Sequence, residues 1–373
     1  MERRDSNFIG RTVVAFAVLA SVPGFVGNAQ ATTQGTEGTA VCHLPEQGSL
    51  STQDLPAGSS VLACGAVGRV VTYDGTGVTV PEPGTTVSVD VLATDGESHG
   101  FSLEVATDGK VSYALTDVGA DASTAGTDVP DHLTNPTHTA ADLSEEADSV
   151  DADAPDAVPQ GEAELAEVDT AAAAGACSDG TYKTADRKEY GTYQWYIGDG
   201  GMPGGLSRTD AKWAFWDAID NITDSYNNCG YTDQVGAKHN YLGTTSREAD
   251  VNSSSHCTSR DGVSTWDAGN LQSTTVAITC AWTFPTPGIK NDLLEADVRY
   301  NTTDHDFTNK PTSSCSGKFD VRAVGTHEAG HVYGLGHVGS GHENLTMYTS
   351  SFPCTTKART LGKGDVLALR SIY

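Results

Sequence analysis

Residues 326–337 read THEAGHVYGLGH, and the way these letters fold decides what the rest of the chain can be. The chain holds 11 His in 373 residues, yet three of them, His327, His331 and His337, fall in this one stretch. Asp320 is a candidate N-cap, and VRAVGTHEAGHVY after it predicts a helix. On a helix His327 and His331 are four apart and share one face, about one turn from each other. Gly334 can take the left-handed conformation that ends a helix, and Gly336 adds freedom, so His337 returns from another direction. Three imidazoles arranged in this way can hold one Zn²⁺ and leave a fourth position open, which is the pattern of a catalytic rather than a structural site. Glu328 sits beside the first ligand and points toward the same place without having to bind. Given this composition, HExxH alone arises by chance in roughly one such chain in a hundred, and the longer pattern in roughly one in twenty thousand.

The pattern HExxHxxGxxH, matched by His327, Glu328, His331, Gly334 and His337, resembles the signature of the metzincin zinc endopeptidases. NLTMYTS places Met347 ten residues after His337, similar to the family's Met-containing turn beneath the metal. Tyr348, directly after it, resembles the matrixin (matrix metalloprotease-like) subgroup. LGKGDVLALRSIY is similar to the closing matrixin helix, and its Asp365 matches the acidic residue that holds the Met turn. EADVRYNTT and FDVRAVGTHEAGH resemble the strand and helix entry of secreted bacterial matrixin-like proteins. The chain departs from the usual text at Val338, Thr349 and Gly364, where Ser, Pro and a second Asp are common. The resemblance covers about residues 190–373.

What the resemblance implies is an α+β zincin fold: a twisted mixed sheet, an active-site helix and a C-terminal helix. It implies one catalytic Zn²⁺ on His327, His331 and His337, with Glu328 as the base. Gly334, Met347, Tyr348 and Asp365 would support the site, Tyr348 as a wall of the specificity pocket. The substrate would be a protein or peptide, added as a strand to a sheet edge, for which Val276–Phe284 is the candidate. No second zinc loop is evident, and Ca²⁺ has no motif to hold it: the Asp-rich run lacks the spacing of an EF-hand.

Composition divides the chain into four parts. Arg3, Arg4 and Arg11 precede an apolar run, Thr12–Val26, and Ala29-Gln30-Ala31 fits a signal-peptide cleavage pattern, so 1–31 are expected to be removed on export. Residues 32–118 alternate in short runs between turn signals and predict a small all-β module. Residues 119–176 carry 14 Asp and Glu and no Lys or Arg, the composition of an extended, disordered linker. Residues 177–373 hold all five Trp and a balanced 17 basic and 22 acidic residues, as a compact domain would. There TYQWYI, 273–284 and 295–303 read as strands. SRTDAKWAFWDAIDNITDSY reads as a helix capped by Ser207 or Thr209, with Trp213 and Trp216 on its core face.

Eight cysteines in an exported chain suggest disulfides, and a Cys42–Cys64 pair is expected in the N-terminal part. That pairing argues against Cys64 capping the metal in the manner of a matrixin propeptide. The module is then a cleft-blocking propeptide, a binding domain or a structural unit. The net charge of −27 excludes nucleic acid as a natural partner, and no later segment is apolar enough to span a membrane. A secreted, monomeric zinc endopeptidase is the leading expectation. The alternatives are a non-enzymatic extracellular binding or adhesion protein with a structural zinc site, and another zinc hydrolase.

Overall fold

The structure, a computed structural model, describes residues 42, 44–97, 99–115 and 175–373. The expected signal segment and nearly all of the acidic stretch lie outside the described residues.

Runs rich in β-branched and aromatic residues form the strands, as their propensity dictates. Eight of them belong to one nine-stranded sheet: β1 (Thr85–Ala93), β2 (His99–Val105), β3 (Val111–Leu115), β4 (Tyr193–Ile197), β5 (His239–Thr244), β6 (Thr265–Gly269), β7 (Thr275–Phe284) and β8 (Asn291–Asn301). Their order across the sheet is β5-β4-β6-β8-β7-β1-β2-β3, and the short strand Arg187–Lys188 pairs with β8. β5, β4, β6 and β8 run parallel, β7 is antiparallel to β8, and β1, β2 and β3 continue as an antiparallel meander. The longer helices among the described residues, α1 (Arg208–Thr223), α2 (Val321–Val332) and α3 (Lys363–Ile372), complete an α+β fold.

Alternation along β7 assigns the two sides of the sheet. Ala277 and Ala281 join Phe215, Trp266, Val298, Tyr300, Val324 and Tyr333 in the core shared with the helices. Ile278, Cys280 and Trp282 face the other way, into a second core with Val87, Val89, Val91, Leu50 and Val71. α1 is capped by Ser207, whose hydroxyl accepts from the Asp210 N–H, and it buries Ala211, Ala214, Phe215, Ala218, Ile219 and Ile222. α1 and α2 meet closely at Gly325, where an added Cβ would lie 2.8 Å from that of Ala218. The cysteines pair as 42–64, 177–229, 257–280 and 315–354. No helix among the described residues is long and apolar enough to cross a membrane.

Four expectations are corrected. The N-terminal segment is not a separate module: β1 pairs along β7, and the strand Thr76–Thr79 pairs with His256–Cys257. β7 therefore has a partner on each side and is not a sheet edge. The segment expected to be all-β also holds a helical turn, Val61–Cys64 within SVLACGAVG, capped by Ser60 and ended by Gly65 at φ 61°. Trp213 does not join the core face of α1, whereas the half-buried Trp216 packs against the core, and Trp195, Trp266 and Trp282 fill the cores.

Candidate metal centre

The site begins at the start of α2. The Asp320 carboxylate accepts from the Ala323 N–H at 2.8 Å and is held by the Arg359 guanidinium at 2.7 Å, which fixes where the helix starts. From there the helical repeat carries His327 and His331 onto one buried face. Gly334, at φ 91°, ends the turn at a place where a side chain would run into the Arg187 carbonyl. Leu335–Gly336 then pairs with Lys183–Thr184, and His337 comes back to the other two.

The three Nε2 atoms lie 3.0, 3.0 and 3.1 Å from one another. His327 Nδ1 donates to the Thr346 carbonyl at 2.8 Å and His331 Nδ1 to the Leu335 carbonyl at 3.1 Å. A carbonyl only accepts, so each of these Nδ1 atoms carries the proton and the Nε2 lone pairs are turned inward. Burial, with the neighbouring imidazoles, drives His327 and His331 down to about 3 and His337 well below its ordinary value, so all are neutral at pH 7. Converging lone pairs repel one another unless a cation sits between them. Two nitrogens each about 2.0–2.1 Å from one ion, at the tetrahedral angle, stand about 3.3 Å apart, close to the spacing here. The donor set fits a metal ion, and carbonyl-anchored Nδ1–H groups are the outer support that metal-bound imidazoles have.

Glu328 is fully buried beside this triangle. Its Oε2 accepts from the Thr279 hydroxyl on β7 at 2.6 Å, while its Oε1, also buried, has no hydrogen-bond partner among the described residues. Burial, reinforced by the Asp90 charge, pushes this carboxyl up to about 8 despite the Thr279 bond.

Beneath the histidines the helix carries Gly330 because the Met347 thioether occupies the space of a Cβ. Asp365, at the start of α3, accepts from the N–H groups of Thr346, Met347 and Gly362 at 2.9, 3.2 and 2.8 Å. These bonds only partly offset its burial, and the carboxyl is pushed up to about 6. Tyr348 stacks on Phe352 and lines a pocket with Leu92, Ala323, His327 and Leu345. The eight residues singled out from the sequence, His327, Glu328, His331, Gly334, His337, Met347, Tyr348 and Asp365, thus lie in or against one place.

Two residues were missed. Arg187 is buried, and its guanidinium donates to the His331 carbonyl at 2.6 Å, to Ser88 and to the Asp90 carboxylate at 2.7 Å. Asp90 stands 3.9 Å from His331 Nδ1; its burial would raise it, but Arg187 overcomes this and holds it at about 2. Nothing in TADRKEY marks Arg187. Asp90 left one sign, a charge within the alternating run TTVSVDVLA, which reads equally well as a solvated face.

A second convergence joins Asp250, Glu295 and Asp297, which could also hold an ion. Glu295 is satisfied by the N–H groups of Asp261 and Gly262 and by Arg260. Asp250 is pushed up to about 7, by burial first and then by Asp261 and Glu295.

Compared with known proteins, the chain matches no protein-family model and no curated protein sequence. Its function is therefore argued from the chemistry of the centre.

Proposed function

We propose that the chain is a secreted zinc endopeptidase of the metzincin kind, with the metal on His327, His331 and His337 and Glu328 as its base. The observation that carries this reading is Glu328 Oε1, a buried carboxylate oxygen without a partner beside three converging nitrogens. A centre serving only the fold has no use for an acid there, and leaving it unsatisfied costs stability. Three neutral imidazoles suit zinc among the available divalent ions. Four disulfide pairs agree with an extracellular setting.

Zinc bound there supplies Lewis acidity, bringing water toward ionisation at neutral pH and polarising a carbonyl. The chain's own residues do the rest. A dication next to Glu328 favours its ionised form, so Oε1 can take a proton from the attacking water and return it to the departing amine. Thr279 holds Oε2, so the carboxyl presents one fixed oxygen. Met347, seated under Gly330, and Asp365, tying the turn to α3, keep the floor of the site rigid. The pocket of Tyr348, Leu345 and Phe352 offers an apolar seat to one substrate side chain.

Burial of all four polar side chains, none more than 2 % exposed, favours a second reading: a metal-braced extracellular binding protein. Hydrolysis of unfolded casein separates the two. The peptidase reading expects cleavage by the metal-loaded chain, loss on chelation and return with added Zn²⁺. No cleavage under any of these conditions leaves the binding protein.

A further inference from the structure

The large sheet has an opening one strand wide. Asp292, at the start of β8, pairs with Phe284 of β7 on one edge and with Lys188 on the other, and β6 takes up that second edge only from Val298 onward. β6 in turn meets β4 only through Thr265 and Trp266. Residues 293–297 of β8 and 193–195 of β4 therefore face each other with no strand between them. Two strands with one place missing between them stand about 10 Å apart.

Main-chain groups left open in this way need partners, and side chains supply them. The Ala296 N–H donates to Ser264 Oγ at 3.1 Å, and the Ala296 carbonyl accepts from the Tyr193 hydroxyl at 2.7 Å. Tyr193 also accepts from Trp266 Nε1 at 3.0 Å and belongs to the core shared with the helices, so its ring forms the floor of the opening. Gln194 and Tyr196 point the other way by alternation and form a wall. Leu242 and Leu294, 39 % and 40 % exposed, stand at the rim. The space enclosed is a cavity of about 380 Å³, within the range of small-molecule sites.

The charge of this cavity has one sign. No Lys, Arg or His lines it among the described residues, while Glu189 and Glu295 do. Glu295 is satisfied by the Asp261 and Gly262 N–H groups and by Arg260. Glu189 accepts only from the Gly191 N–H, at 2.6 Å. The nearby lysines are turned elsewhere, Lys188 Nζ to the Ile372 carbonyl at 2.8 Å and Lys290 Nζ to the Ala185 carbonyl at 2.5 Å. Burial pushes the Glu189 carboxyl above its ordinary value despite the Gly191 bond, and the Asp292 charge adds to this. A half-buried carboxyl without a counter-charge, beside tyrosine and leucine walls, is complementary to a cation carried on a slender apolar stem.

We propose that this opening is a second binding site and takes an alkylammonium group, the charge at Glu189 and the stem over Tyr193 between Tyr196 and Leu294. It shares no lining residue with the pocket of Tyr348 and stands whether or not the histidine centre cleaves peptides. A free amine and the lysine side chain of another protein carry the same group, and the test separates them.

The full-length chain is titrated calorimetrically with n-pentylamine in about 0.5 M NaCl, where a screening length of about 4 Å removes loose attraction to exposed carboxylates. Nα-acetyl-lysine N-methylamide and n-pentanol are titrated beside it. Saturable binding of one amine per chain is expected. It should be at least about tenfold weaker in Glu189→Gln, as for the loss of a charged hydrogen bond, and unchanged in Glu82→Gln, which removes an exposed carboxylate instead. n-Pentanol, with the same stem and no charge, should bind at least about tenfold more weakly than the amine. Gln194→Lys places a competing ammonium on the exposed wall and should also weaken binding; it decides the matter if Glu189→Gln does not fold. Tighter binding of the lysine derivative than of pentylamine assigns the site to a partner's lysine, and the reverse to a free amine. No saturable binding of either amine, equal binding of pentanol, or binding unaltered in the folded variants at 189 and 194 overturns the proposal.

Discussion

At the scale of single residues, the centre depends on carboxyl groups that burial has pushed away from their ordinary behaviour. Glu328→Gln keeps the size of the side chain and an oxygen for Thr279 but cannot take a proton. Hydrolysis should fall at least about 100-fold with the metal content unchanged; retained activity would remove Glu328 from the base role. Asp365→Ala leaves three buried N–H groups without an acceptor, and at about 1 kcal/mol or more each the loss should be about 3 kcal/mol in urea unfolding. Asp250 gives a pH dependence whose sign follows from its direction. Its folded value, about 7, lies above the ordinary 3.8, so the stability it contributes is complete below about 4 and lost as the pH rises through 7. Asp250→Asn should therefore match wild type in Tm near pH 4 and exceed it by pH 8; a constant difference would contradict this. The histidines and Glu328 were legible because their spacing is local, all within one helix and its turn. Arg187 was not: it meets His331 across 144 residues of sequence, and no periodicity reports such a contact.

At the scale of elements, α2 was readable at both ends. A capping Asp320 and a helix-ending glycine are chemical requirements of the backbone, so they show in the letters. Gly330 shows a requirement of packing instead. Gly330→Ala would press a methyl into the Met347 thioether, and the overpacking should cost about 1–3 kcal/mol with a lower Tm and a weakened site. An unchanged Tm would mean that the Met turn yields freely. β7 marks the limit of sequence reading. Its alternation announced a strand with two faces, but alternation says nothing about which strands lie on either side. The partner that covers it, β1, comes from about 190 residues earlier, as the Ser88 to Ala281 separation of 193 illustrates. The same alternation in β1 suggested a solvated polar face, and that face is the one turned toward the histidines.

At the scale of the whole molecule, the N-terminal strands and the metal-bearing part share one sheet and one of its two cores. The composition break after residue 118 led to a division into modules. A shift in composition marks where a chain changes character, yet segments of different character can still pair. The proposed function requires that the three histidines hold a metal ion, and the measurement that tests this most directly is the Tm of the metal-free full-length chain as Zn²⁺ is added. A ligand that binds only the folded state raises stability in proportion to RT ln(1 + [L]/Kd). The account expects a rise that breaks at one ion per chain and is absent in His331→Ala. No rise, or an equal rise in that variant, would contradict it.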